Sequence, residues 1–190
     1  MSGPTADVSV RLAWAADAEA IAATQVRAWQ IAYADVLPAE VLAQLPEAAF
    51  SERWRLSIDR PREARQRVLV ALDRARVRGF AATAPATDAD ADPATDAELA
   101  EFVVDPDAVH AGHGSRLLHA AVDTMRADRF ARATIWVTAT DDPVRSFLAA
   151  QGWAADGAHR ELDLYGDGSV TVKQIRLHTD LTEGPGDQGS

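Results

Sequence analysis

Between Glu98 and Ala139 the chain runs strand, glycine turn, helix, strand, and this order limits the fold more than any other feature. Glu98 to Val104 reads as a strand, and Asp105-Pro106 ends it because proline has no N–H to give to a ladder. His110-Ala111-Gly112-His113-Gly114-Ser115 leads into a helix with Leu117, Leu118, Ala121, Val122 and Met125 on one face. Ala133 to Ala139 is the next strand. Two strands joined through a helix lie parallel with a right-handed crossover, and a parallel pair needs cover on both faces.

The flanking segments extend that unit. Val8 to Leu12 alternates as a strand, and Asp17 caps a helix carrying Ala22, Val26, Trp29 and Tyr33 at helical spacing. After a break at Leu37-Pro38, Ala39 to Ile58 is helical, as one helix or two short ones. Arg67–Leu72 and Val77–Thr83 form an antiparallel pair around Asp73 to Arg76. Asp142-Pro143 starts a helix that Gln151-Gly152 stops, and Arg160–Leu164 and Val170–Leu177 close the chain as a hairpin. The expectation is a single α/β domain over residues 8–180, a mixed sheet of about seven strands with helices on both faces. Residues 1–7 and 182–190 are expected to be disordered termini.

With 190 residues and no cysteine, the chain has no disulfide, thiolate nucleophile or Cys-ligated zinc. No stretch reaches a membrane span and no leader is evident, so the cytoplasm is the expected compartment. The net charge of −10 argues against nucleic-acid binding. Asp88 to Asp107 holds eight acids and no base, leaving 21 acids against 19 bases elsewhere. Pro85–Ala97, almost wholly Ala, Asp, Thr and Pro, reads as a flexible acidic loop. Arg53 to Arg78 carries nine arginines, a solvated face or a strip that meets an anionic partner.

A glycine pair opening a helix after a strand offers free N–H groups and the positive helix end to an anion, usually phosphate. A dinucleotide fingerprint would need glycine where Leu117 stands, and a P-loop would need Gly-Lys-Ser/Thr after four intervening residues, whereas the only lysine is Lys173. His110 and His113, with an unperturbed pKa near 6.5, are candidate phosphate contacts or plain loop residues, and no metal site is expected.

The whole order, from Val8 to about Leu177, resembles the GNAT superfamily of acyl-CoA N-acyltransferases. Val104-Asp105-Pro106 through Val109-His110-Ala111-Gly112-His113-Gly114 is similar to its pyrophosphate motif, and Asp141 to Trp153 is similar to its Asn-x-x-Ala-x-x-Phe-Tyr-x-x-x-Gly-Phe segment. The resemblance implies acetyl-CoA as co-substrate, with pantetheine along Phe102, Val103 and Val104. It places pyrophosphate on Val109, His110, Ala111, Gly112, His113, Gly114 and Ser115, with Asp141 and Phe147 also at the cofactor. Glu98, six residues before Val104, matches a position where family members place a general base, and Glu101 is the reserve. Trp29, Tyr33 and Trp54 either line the acceptor pocket or belong to the core. The implied reaction is direct attack by a primary amine, on a small molecule or a protein. Oligomeric state stays open, a homodimer included. Where the motif carries Arg or Gln this chain has Val109, and where the Phe-Tyr pair supplies an acid it has Leu148. The alternative is therefore a catalytically impaired member, an acyl-CoA-binding or protein-interaction module.

Overall fold

Val68–Leu72 is an unbroken apolar run, and in the structure, a computed structural model that describes residues 8–182, it is buried from end to end. Burial on both faces marks β2 (Arg67–Asp73) as an interior strand. The other strands are β1 (Val8–Leu12), β3 (Arg76–Pro85), β4 (Asp96–Val104), β5 (Arg132–Thr138), β6 (Ala154–Asp163) and β7 (Thr171–Asp180). The helices are α1 (Ala18–Ala32), α2 (Ala39–Ala43), α3 (Glu47–Asp59), α4 (His113–Ala127) and α5 (Asp142–Ala150). The strands form one mixed sheet in the order β1-β2-β3-β4-β5-β7-β6, flanked by helices, as expected from the sequence. The helical stretch after Pro38 is two helices, broken at Leu45-Pro46.

The chain divides into two units: residues up to Ala84 with Glu101–Thr124, and Pro85–Ala100 with the residues from Met125 on. In the first, β1 and β3 pair antiparallel with β2. Among the buried residues of α1, Ala18, Ile21, Ala22, Gln25 and Val26 recur at helical spacing. Ile21 joins Val68, Val70, Leu72, Val77, Phe80 and Ala82 in one core cluster, while Ala22 and Val26 meet Phe50 of α3 in another.

In the second unit β4 and β5 are parallel through three pairs, Asp96 with Arg132, Ala97 with Ala133 and Glu98 with Thr134. β5 pairs antiparallel with β7, and β7 with β6, whose register shifts between Ala155 and His159. β6 thus begins six residues before the strand expected at Arg160. The Asp141 carboxylate accepts the Val144 N–H at 3.1 Å and caps α5, one residue before the cap expected at Asp142, and Leu148 is fully buried.

The segment read from composition as a flexible acidic loop, Pro85–Ala97, has its ends in β3 and β4. Ala86 N–H bonds Asp96 O at 2.8 Å, and Asp92 accepts from Thr95 and Asp96 through its carbonyl and from Ala94 through its carboxylate. Composition carries no trace of these bonds, because small polar residues make them through backbone and carboxylate, not bulk. Of the termini expected to be disordered, residues 1–7 and 183–190 lie outside the described residues; Thr182 bonds Asp180 through both N–H and hydroxyl. Among the described residues no helix is long and apolar enough to cross a membrane.

Candidate functional site

In the first unit the candidate cofactor residues follow one another along the end of β4 and into α4. Phe102, Val103 and Val104 are half-buried and approach β3 closely at Gly79. A Cβ at Gly79 would stand 2.8 Å from Val103 O and 3.4 Å from the Val104 Cα, so only glycine admits this spacing. Gly79→Val is expected to lower stability by about 1–3 kcal/mol, the range for overpacking. An unchanged denaturation midpoint would show that β4 yields freely there.

The turn after β4 hangs on Asp105, which is fully buried. Its carboxylate accepts from Arg27 Nη2 at 2.8 Å and the Asp107 N–H at 3.2 Å, with Arg78 Nη1 at 3.7 Å. Burial works to raise its pKa, but these donors and the two guanidinium charges hold it below the usual carboxylate range. The sequence reads Asp105-Pro106 only as a strand stop, since Arg27 stands 78 residues away.

Val109 is exposed and extended, and Gly112 has φ +82°, a conformation that favours glycine. α4 begins at His113, so the N–H groups of His113, Gly114 and Ser115 belong to a first turn, where amides lack intrahelical partners and the helix dipole is positive. Arg116 Nη1 lies 3.4 Å from where a Gly112 Cβ would be, which brings a permanent positive charge to the turn.

His113 corrects the sequence reading. It is 3% exposed, and burial lowers its pKa, helped by Arg78 and Arg116 and opposed by Asp73, so it is neutral near pH 7 and brings no charge to an anion. The unfolded chain takes up this proton first. Stability is therefore expected to fall as pH drops below about 6.5 towards the folded-state value. His113→Gln should flatten that fall, read from denaturation midpoints on either side of the window. A wild-type slope retained in the variant would assign the effect to other groups.

The first two helices place the aromatic candidates differently. Trp54 bonds Gln25 Oε1 at 2.8 Å through its indole N–H and packs edge-on to Phe80 at 5.1 Å, within the core. Trp29 meets Tyr33 at 5.9 Å and Phe50 at 5.3 Å, both edge-on. Burial, and then the charge of Glu101, raise the Tyr33 pKa, which brings the reserve carboxylate and this phenol together. A groove of about 870 Å³ between α1 and the β2–β3 turn is lined by Thr24, Arg27, Asp73, Arg74 and Arg76 and takes in none of the sequence candidates.

In the second unit Glu98 is half-buried. Burial raises its pKa, Asp88 adds to the rise, and Arg160 and a Thr87 hydrogen bond oppose it. Trp136 Nε1 donates to Asp88 at 3.1 Å, and the Arg160 guanidinium lies 4.3 Å from the Trp136 ring centroid. Arg176, 5% exposed, contacts Asp88 at 3.0 Å, Asp90 at 2.6 Å and Asp156 at 2.7 Å, and its hydrogen bonds hold Asp90 down to about 2. None of Asp88, Trp136, Arg160 and Arg176 is marked by a sequence motif. Phe147 is half-buried on α5, and Leu148 beside it offers no acidic hydrogen.

A mixed seven-stranded sheet, with a helix opening on a glycine turn directly after the fourth strand, defines an α/β protein suited to a phosphate-bearing ligand. Among solved structures the chain is similar to the PaiA N-acetyltransferase of Thermoplasma acidophilum in complex with coenzyme A, with 19% identity, 88% of this chain and 97% of that chain covered, and TM-score 0.66. It is similar to an N-acetyltransferase of Staphylococcus aureus Mu50 (16%, 92% and 98%, 0.70) and the ribosomal-protein-S18-alanine N-acetyltransferase of Escherichia coli (16%, 96% and 99%, 0.64). These likenesses concern the fold. The model of the Acetyltransferase (GNAT) family matches residues 27–153, and the chain belongs to that family. No curated protein matches by sequence.

Proposed function

We propose that the protein is an N-acetyltransferase that moves an acetyl group from acetyl-CoA to a primary amine by direct attack. The observation that carries this reading is Glu98: a half-buried carboxylate on β4, with its pKa raised, in a chain of the GNAT family. An alkyl ammonium has a pKa near 10 and no free lone pair at pH 7, so a base must take its proton before it attacks. A carboxylate made more basic by burial is better fitted to that task than an exposed one. Water or the carboxylate itself completes the transfer.

The residues present fit the cofactor. Gly112 and Gly114 bring no Cβ to the turn, the first-turn amides of α4 are donors an anion can take, and Arg116 supplies the permanent charge that Val109 lacks. Phe102 to Val104 offer the backbone of β4 to the pantetheine arm, and Val104 the dipoles that polarise a carbonyl. Acetyl-CoA, when bound, supplies an activated acyl group on a thiol able to leave without a strong acid, which accommodates Leu148.

Calorimetric titration with acetyl-CoA and with desulfo-coenzyme A, followed by an amine panel, tests the proposal. Micromolar binding of both, with acetylation of at least one amine, is the expected result. Binding without turnover would support the impaired acyl-CoA-binding module, and no binding at millimolar ligand would turn the search to protein partners.

A further inference from the structure

We propose that the acidic segment between β3 and β4 is part of the acyl-transfer site, with Asp88 a positioning residue that fixes the charge and orientation of Glu98. The proposal rests on the reading of Glu98 as base.

Three carboxylates converge on the guanidinium of Arg176: Asp88 and Asp90 from the segment and Asp156 from β6. This clamp ties a run of small polar residues to β7. Asp88 has a second partner, the indole N–H of Trp136. Trp136 pairs in register with Arg176 and stands two residues beyond Thr134, which pairs with Glu98. Strand side chains alternate, so Glu98, Thr134, Trp136 and Arg176 share one face. Asp88 is held over that face, and its neighbour Thr87 hydrogen-bonds the Glu98 carboxylate.

The charges on the face that Glu98 shares come from four elements. The segment contributes Asp88, with Asp90 drawn to Arg176. β6 contributes Arg160, whose Nε bonds Gln174 at 2.7 Å while its guanidinium lies over the Trp136 ring. β7 contributes Arg176, engaged with three carboxylates. β5 adds the uncharged Thr134 and Trp136 and, two residues before Thr134 on the same face, Arg132, whose Nη2 bonds Asp156 at 2.7 Å. A second carboxylate held close makes the first a stronger base, and Asp88 thus offsets the acidifying pull of Arg160. Arg176 acts through Asp88 by keeping it in place.

The test is direct titration of Glu98 by carboxyl-carbon NMR in the full-length protein, with the resonance assigned by its loss in Glu98→Gln. Asp88→Asn keeps partners for Trp136 and Arg176 while removing the charge, and is expected to lower the Glu98 midpoint by about 1 pH unit. The acidic limb of kcat/KM, with any amine the protein acetylates, should move by the same amount and in the same direction. Asp90→Asn removes a pair to the same arginine without touching Glu98 and should leave the midpoint in place. Asp88→Ser, smaller and neutral, must shift it with the same sign if asparagine disturbs packing. An unmoved midpoint in both Asp88 variants, or an equal shift in Asp90→Asn, overturns the proposal. Full activity in Glu98→Gln overturns the reading of Glu98 as base and leaves the titration result standing.

Discussion

Glu98→Gln is expected to lower kcat/KM by about 10²- to 10⁴-fold, the range that positioned general bases contribute. Glutamine keeps the shape of the side chain and its bond to Thr87 but cannot take a proton from an ammonium. The loss should fall on turnover. The cofactor candidates occupy the end of β4 and the turn before α4, whereas Glu98 stands six residues earlier, so the acetyl-CoA dissociation constant should stay within about twofold. The pH profile gives an independent check. A raised carboxyl must lose its proton before it can act, so wild-type activity should decline with acid at a pH above the ordinary carboxylate range. A variant with wild-type turnover would remove Glu98 from the mechanism and bring forward Glu101, beside Tyr33.

Asp105→Asn should give the largest loss of stability, about 2–3 kcal/mol. It leaves Arg27 and Arg78 without a buried counter-charge and weakens the cap on Asp107. The Arg27 side chain is 39% exposed, so water relieves part of the penalty and the loss stays below the full cost of a broken buried pair. For a chain of this length the change amounts to about 4–12 °C in Tm. Its pH dependence has a definite sign. With a folded-state pKa below the unfolded value near 3.9, Asp105 stabilises the protein above that value and stops doing so as pH falls through the lower one. Wild type and variant should therefore differ most near neutrality and converge in strong acid. A Tm difference under about 1 °C at pH 7 would show that Asp105 does not hold the turn.

Much of the fold is legible in the sequence because its signals are local. Alternation in Val8–Leu12, the apolar run in β2 and Asp-Asp-Pro before α5 each specify an element within a few residues. The glycine turn is legible for the same reason. What escapes is the set of long-range charge pairs. Asp105 reads as a strand end until Arg27 is found beside it, and Asp88 as filler in a loose loop until Arg176, 88 residues later, closes on it. His113 escapes differently: its position in the glycine motif suggests exposure, and only the packing of α4 shows an imidazole 3% exposed. Sequence marks which backbone is available, and tertiary contacts decide which charges are.

The register shift in β6 has a consequence for how molecules meet one another. β6 lies at one margin of the sheet, where unpaired backbone groups would offer a template to any passing strand. The bulge between Ala155 and His159 breaks that template into two short stretches, and Arg160, Glu161 and Asp163 line the second with charges of both signs. Aggregation through this margin would first have to straighten the bulge and strip water from those charges, so a crowded solution of the folded protein is guarded there by an irregularity of its own backbone.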